Sequence, residues 1–195
     1  MRLTNYLIVL TNCLNLCKAK DRTGKALPVQ EALAVVMKNV IKRAAAGNKV
    51  LFVGNGGSAA IASHMAIDFW KNGSVRSLSF NDPAQLTCLS NDLGYERVFS
   101  APIEMFAEKR DVLIAISSSG RSSNIINAVK SADKKKCWVV TLSGFKPDNP
   151  LRTLGDMNFY IPNQSYGIVE LAHSVICHYI LDTIMELRKN NVSTP

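Results

Sequence analysis

The chain has 195 residues, 47% hydrophobic and 19% charged, which is enough apolar material for one well-cored domain and too ordinary a charge content for wholesale disorder. Its 23 lysines and arginines against 15 aspartates and glutamates leave a formal charge of +8, a field that attracts anionic small molecules, nucleic acid or membrane surfaces alike. No RNP-type aromatic motif or zinc-finger spacing accompanies the basic residues, and no uninterrupted apolar run approaches the roughly 20 residues of a bilayer span, so neither nucleic acid nor a membrane is the expected partner.

Apolar periodicity predicts helices over residues 3–18 and 29–46, separated by a Gly- and Pro-bearing turn over 21–28. The apolar run over 6–10 is broken by Thr11 and Asn12 and has no small-residue cleavage signature after it, so it does not read as a signal peptide and a cytoplasmic location is expected. From Lys49 the texture changes. Short β-branched runs over 50–53, 112–116, 138–142 and 159–161 alternate with helical segments, the pattern of a parallel sheet covered by helices on both faces. A last long helix is expected over 167–188, with a frayed polar tail over 189–195. The whole chain, 1–195, reads as one domain: helices over 1–47 that pack on something larger, then an α/β core over 48–188. Lys134, Lys135 and Lys136 read as a solvated helix end. The cysteines, Cys13, Cys17, Cys88, Cys137 and Cys177, have neither CxxC nor disulfide-framework spacing and read as reduced, mostly buried thiols.

Two strand-to-helix loops carry the chemistry. Gly54, Asn55, Gly56, Gly57 and Ser58 lead from an apolar strand directly into a helix. Glycines allow close backbone approach to an anion, and a helix N-terminus offers unpaired N–H groups with a favourable dipole. The loop has no Walker ending and no dinucleotide GxGxxG, so no nucleotide cofactor is expected. The second loop, Ser117, Ser118, Ser119, Gly120, Arg121, Ser122 and Ser123, again follows a predicted strand and precedes a helix. One hydroxyl suffices for a cap; five at a strand's carboxyl end suit a phosphate.

All three histidines, His64, His173 and His178, fall in two predicted helices. His64 and Asp68 are four apart and share a helix face, and Glu170 and His178 are two turns apart on one broad face. Imidazoles with carboxylates suit proton transfer near neutral pH and equally suit a zinc site. Spacing leaves open whether His173 or His178 faces that site.

GNGGSA, then His64 with an acid four later, Asn91-Asp92, SSSGRS, and an acid eight before His178 together resemble the phosphoheptose isomerases within the wider SIS family. The resemblance implies a three-layer αβα sandwich around a five-stranded parallel sheet, extra N-terminal helices, and a homotetramer with active sites at subunit interfaces. It implies aldose–ketose isomerisation of sedoheptulose 7-phosphate to D-glycero-D-manno-heptose 7-phosphate through an enediol, for surface heptose in lipopolysaccharide or capsule. By motif position, Ser117, Ser118, Ser119 and Ser122 would hold the phosphate. Asn55, Gly56, Gly57, Ser58, Asp92 and Glu170 would meet the sugar. Asp68 and His178 would be catalytic, and His64, Asp68, Glu170 and His178 would bind one divalent metal, zinc, per site. The sequence departs from the family pattern at Asp68 (usually Glu), at Glu170 (usually Gln), and at Phe69-Trp70-Lys71-Asn72, where Gly-Arg is usual. Two alternatives are a non-catalytic SIS protein that binds a sugar phosphate or associates with a replication initiator, and an isomerase of another phosphosugar.

Overall fold

The computed structural model of the chain describes residues 2–192. After helix α1 (Leu3–Asn15), strands β1 (Lys18–Asp21) and β2 (Ala26–Leu27) form a hairpin, and α2 (Val29–Ala45) follows. Then β3 (Val50–Gly54), α3 (Gly57–Lys71), β4 (Ser77–Ser79), α4 (Pro83–Leu93) and α5 (Ser100–Phe106) lead to β5 (Val112–Ser117). The chain ends with α6 (Ser123–Lys134), β6 (Trp138–Ser143), β7 (Met157–Tyr160) and α7 (Tyr166–Val192).

The sheet order is β2-β1-β7-β6-β5-β3-β4. The five strands from β7 to β4 are parallel, which is the expected five-stranded core. It is extended by a feature the sequence reading missed: the segment read as a turn is a hairpin that pairs antiparallel with β7, Ala19 opposite Phe159. Arg22 fastens it, with Nη2 2.6 Å from Asp133 Oδ1 and Nε 2.8 Å from Asp156 Oδ1.

Every residue of β3 and β5 is buried, as expected for parallel strands covered on both faces. Alternation splits them between two cores. Phe52, Ile114 and Leu142 join residues of α2, α3 and α7 on one face. Leu51, Val53, Leu113 and Val139 meet Ile103 of α5 and Ile125 and Val129 of α6 on the other. The result is an αβα sandwich. Helix α2, assigned by sequence to the region outside the 48–188 core, buries Ala32, Val36 and Val40 completely, because its i, i+4 apolar stripe faces the sheet. Only Cys13 of α1 is buried.

Helix α7 is long and apolar enough by length and composition to cross a membrane, but half of its most apolar stretch is buried inside the domain, where Ile168, Val169, Ala172, Ile176 and Ile180 join the core. It runs through Val192, so residues expected to fray up to that point are helical; 193–195 lie outside the described residues. The five cysteines are free, and burial pushes the Cys17 and Cys137 thiols up to about 11, so both stay protonated and unreactive.

At the amino-terminal ends of β3 and β5 a buried ion pair joins the two strands: Lys49 Nζ lies 2.7 Å from Asp111 Oδ2. Asp111 is fully buried and also accepts from the Lys49 and Glu108 amides. Removing the Asp111 charge leaves the buried Lys49 ammonium with only the more distant Glu108 carboxylate, 3.6 Å away and largely exposed. Asp111→Asn is therefore expected to lower unfolding free energy by about 3–5 kcal/mol; chemical denaturation measures it, and a loss under about 1 kcal/mol would show that Lys49 finds water instead.

Candidate active site

Open α/β sheets bind ligands where strand order reverses, outside the carboxyl ends of the strands. Here β3 connects onward to β4 on one side while β5 lies on its other side, so the loops after β3 and β5 flank that crevice. A cavity of about 230 Å³ occupies it, lined by Asn55, Gly56, Gly57, Ser58, Ile116, Ser117, Ser118, Ser119, Ser122, Tyr166 and Glu170.

The first loop turns through Gly56, whose φ of +54° favours glycine. Gly57 opens α3, and a Cβ there would stand 2.4 Å from Glu170 Oε2; only a glycine lets the α7 carboxylate come down on this backbone. In the second loop Ser117 Oγ lies 3.3 Å from Ser122 Oγ and accepts from the Gly120 amide, while Ser119 Oγ accepts from the Arg121 amide. Ser118 Oγ is buried with no partner. Buried hydroxyls normally find one. With the Ser123 and Asn124 amides at the start of α6, these groups can receive an anion's oxygens; the next two amides are taken by Asn124 Oδ1 and the Ser122 carbonyl. No lysine or arginine lines the cavity, so neutral dipoles would carry that contact.

The two loops are fastened together through Asn55 by two residues the sequence reading missed, Asn124 and Tyr95. Asn55 and Asn124 exchange amide hydrogen bonds, Nδ2 to Oδ1 at 2.9 and 2.8 Å, and the Tyr95 hydroxyl donates to Asn55 Oδ1 at 3.0 Å. Asn124 is buried in the first turn of α6, and that polar residue immediately after the serine run was the available signal. Tyr166 stacks edge-on against Phe145 at 4.7 Å and stands one helical turn before Glu170, on the same face.

Helices α3 and α7 run alongside each other in the same direction, Gly57 level with Glu170 and His64 level with His178. Further along the pair, His64, Asp68 and His178 converge, with one donor atom from each within 4.8 Å of the others. His64 Nε2 lies 3.2 Å from Asp68 Oδ2, and the two imidazole centroids are 5.3 Å apart. Two imidazoles and a carboxylate form a three-ligand set that leaves a coordination position open. Bonds of about 2.1 Å would bring tetrahedral donors to about 3.4 Å from each other, a contraction within reach of side-chain rotation, so these residues fit a divalent cation.

Glu170 is not in this set. It precedes His178 by two turns, about 12 Å along the helix, and lines the cavity instead. Asp92 is also elsewhere: it is exposed at the end of α4, where it accepts from Asn91 Nδ2 at 2.8 Å. The ambiguity between the α7 histidines is resolved by the helix phase. His178 turns toward α3, whereas His173 is fully buried with Nε2 3.2 Å from the Ser143 carbonyl.

The profile of the SIS domain matches residues 28–144. The chain is 35% identical over 162 residues to the phosphoheptose isomerase of Aliarcobacter butzleri, covering 80% of this chain and 85% of that one. It is 34% identical over 179 residues to that of Cytophaga hutchinsonii, covering 89% and 88%. Among solved structures, a phosphoheptose isomerase from Neisseria gonorrhoeae superposes with a TM-score of 0.74 at 29% identity, covering 79% of this chain and 86% of that one. One from Francisella tularensis shares the fold at a TM-score of 0.79 and 24% identity, covering 94% and 96%. The chain belongs to the SIS-domain family and, within it, to the phosphoheptose isomerases.

Burial lowers the His173 pKa from 6.5 to about 4, against a smaller opposing effect of its bond to Ser143. Between those values the unfolded chain takes up a proton that the folded chain refuses. The stabilising contribution is whole above pH 6.5 and is lost toward pH 4, at about 1.4 kcal/mol per pH unit. His173→Gln, which retains a donor for the Ser143 carbonyl, is expected to lose less stability than the parent between pH 7 and pH 5, by about 2 kcal/mol. Urea unfolding at the two pH values tests this; parallel losses in both proteins would contradict it.

Proposed function

We propose that the protein is an aldose–ketose isomerase that interconverts sedoheptulose 7-phosphate and D-glycero-D-manno-heptose 7-phosphate, acting as a soluble cytoplasmic enzyme in the supply of surface heptose. Its relatives at 34–35% identity carry the name phosphoheptose isomerase. The observation that carries the reading is the spacing of two chemically different groups along one helix pair. The hydroxyl-lined cavity lies at Gly57, and His64 and Asp68 follow seven and eleven residues later on α3, about 10–16 Å along its axis. A heptose phosphate carries its phosphate on C7 and reacts at C1 and C2. Six carbon–carbon bonds of about 1.5 Å, together with the phosphate ester, span a comparable distance.

In this reading Ser117, Ser118, Ser119 and Ser122 hold the phosphate through hydroxyls and amides, and Asn55, Gly56, Gly57, Ser58 and Glu170 meet the sugar hydroxyls. Binding energy gathered at the phosphate positions the distant reacting carbons. Asp68 and His178 share the proton transfers: one removes a proton from carbon and returns it to the adjacent carbon, and the other moves a proton between the two oxygens. His64, Asp68 and His178 would hold the cation, zinc in our reading, whose chemistry is to polarise the carbonyl. Asp68 is one methylene shorter than a glutamate, so α3 and α7 must approach the substrate more closely here.

Exposed apolar side chains flank these residues: Ile67 and Trp70 on α3, Leu171, Val175 and Tyr179 on α7, and Leu3, Leu7 and Ile8 on α1. An apolar face of this kind marks an association surface. We infer that further copies cover it in a homotetramer, closing the reaction site at subunit interfaces and removing water from His64, whose side chain is 57% exposed in the single chain.

Incubation with sedoheptulose 7-phosphate in deuterated water, followed by NMR, tests the reaction. The expected result is aldoheptose 7-phosphate with deuterium at the carbon next to the carbonyl, and a loss of rate of about 100-fold or more in Asp68→Asn and His178→Ala. Saturable binding without turnover of this or any other heptose, hexose or pentose phosphate would refute the enzyme. Elemental analysis is expected to find close to one divalent metal per chain, lost in His64→Ala and His178→Ala but retained in Glu170→Gln; full activity in metal-free protein would remove the cation from the scheme.

A further inference from the structure

A second cavity of about 230 Å³ lies at the opposite end of the sheet, between the C-terminus of α2 and the segments that enter β3 and β5. Among the described residues it is lined by Asn39, Lys42, Arg43, Ala46, Asn48 and Arg110: three cations, two amides and no carboxylate. The acids nearby are already engaged. Asp111 and Glu108 both lie against Lys49 Nζ, at 2.7 and 3.6 Å, and Asp111 also accepts from Asn48 Nδ2 at 3.3 Å, so neither carboxylate forms an ion pair with Lys42, Arg43 or Arg110.

Arg43 is half-buried, yet its recorded partners are neutral. Nη1 donates to the Arg110 carbonyl at 2.9 Å, Nε to Asn39 Oδ1 at 3.4 Å, and the guanidinium lies 5.8 Å from the centre of the Trp138 ring. Burial, joined by the charge of Arg110 and partly opposed by Asp156, lowers its pKa. An anion in the cavity would relieve both the burial and the repulsion.

Arg110 adds an independent sign. Its φ is +76°, a left-handed conformation that disfavours any side chain larger than glycine's. The backbone is held there from both sides, since its amide donates to the Lys136 carbonyl at 3.0 Å and its carbonyl accepts from Arg43. The side chain makes no recorded ion pair among the described residues. Strained backbone held in place by its neighbours is a feature of functional positions, and here the strain delivers a free cation to the cavity. Lys109 adds positive charge next to it in the chain, and Arg76 does so through its bond to the Gly47 carbonyl at 3.0 Å.

We propose that this cavity binds a small polyphosphate anion, either inorganic or the polyphosphate of a nucleotide, clamped by Lys42, Arg43 and Arg110, with Asn39 and Asn48 lining the recess and held by their own bonds to the Val35 and Lys109 carbonyls. The site is separate from the serine-lined cavity, because the two lie at opposite ends of β3, about 17 Å apart along a five-residue strand. Three converging cations exceed what one phosphate group needs, and guanidinium forks match phosphate oxygens in pairs. The recess is concave and small, which favours a compact ligand over a nucleic-acid duplex.

Isothermal titration with pyrophosphate, and separately with ADP, is run on the wild-type protein, on Lys42→Ala/Arg110→Gly and on Ser119→Ala/Ser122→Ala. Glycine adopts the backbone of position 110 without strain, so the first variant should fold at least as stably as the parent. Its pyrophosphate affinity is expected to fall by about tenfold or more, with isomerase activity retained, while the serine variant keeps this binding and loses sugar-phosphate affinity. Tighter binding of ADP than of pyrophosphate would identify a nucleotide as the source of the anion, and equal binding would identify the inorganic ion. Wild-type affinity in the Lys42/Arg110 variant, loss of binding only in the serine variant, or no binding at millimolar pyrophosphate would each overturn the proposal.

Discussion

The contact on which the candidate site depends is the side-by-side packing of α3 and α7, and that packing depends on glycine. At Gly57 the missing side chain admits the Glu170 carboxylate, and at Gly73, just beyond α3, a Cβ would stand 2.6 Å from Leu181 Cδ1. Two close approaches along one helix pair fix its register. Because the helices run in the same direction, residues at similar offsets from Gly57 and Glu170 come level, and His64 meets His178. A shift of one residue in either helix would rotate its face by about 100° and separate the donors.

Parallel topology then assigns different chemistry to the two ends of the sheet. Strand carboxyl ends meet helix N-termini, so the end that holds the candidate site collects glycine, serine and asparagine around a cavity lined by no lysine or arginine. Strand amino ends meet helix C-termini, where positive side chains are favoured by the helix dipole. Lys42 and Arg43 end α2, and Lys134, Lys135 and Lys136 end α6. The formal charge of +8 is therefore unevenly placed. A substantial part of it sits away from the candidate site, and the helix-end reading of the lysine run accounts for part of that distribution.

The legible parts of the fold were those written in local pattern. β3, β5 and β6 are buried on both faces and appear in the sequence as apolar runs, as do the long helices α2 and α7. β4 was not legible, because Ser77, Leu78 and Ser79 form a short edge strand that pairs only with β3 and needs no apolar pattern. The β1–β2 hairpin was hidden for a related reason: it is held by β7 and by the Arg22 ion pairs, which are contacts more than 100 residues away in sequence. In the site, the glycine and serine loops declared themselves through composition. Tyr166 did not, since nothing local distinguishes a tyrosine that starts a helix, and Asn124 was marked only by its place immediately after the serine run.

The sequence by itself determined the fold class, the two strand-to-helix loops, and the concentration of histidines and carboxylates on two helices, because each is set by residue type and by spacing along a single element. Tertiary structure alone decided which of those groups lie together. It turned His178 toward His64 and buried His173, placed Glu170 in the cavity apart from the His64–Asp68–His178 cluster, left Asp92 on the surface, and gathered Lys42, Arg43 and Arg110 from segments with no shared motif. Helical phase and strand order are properties of packing, and they bring together residues whose distance along the chain says nothing about their distance in space.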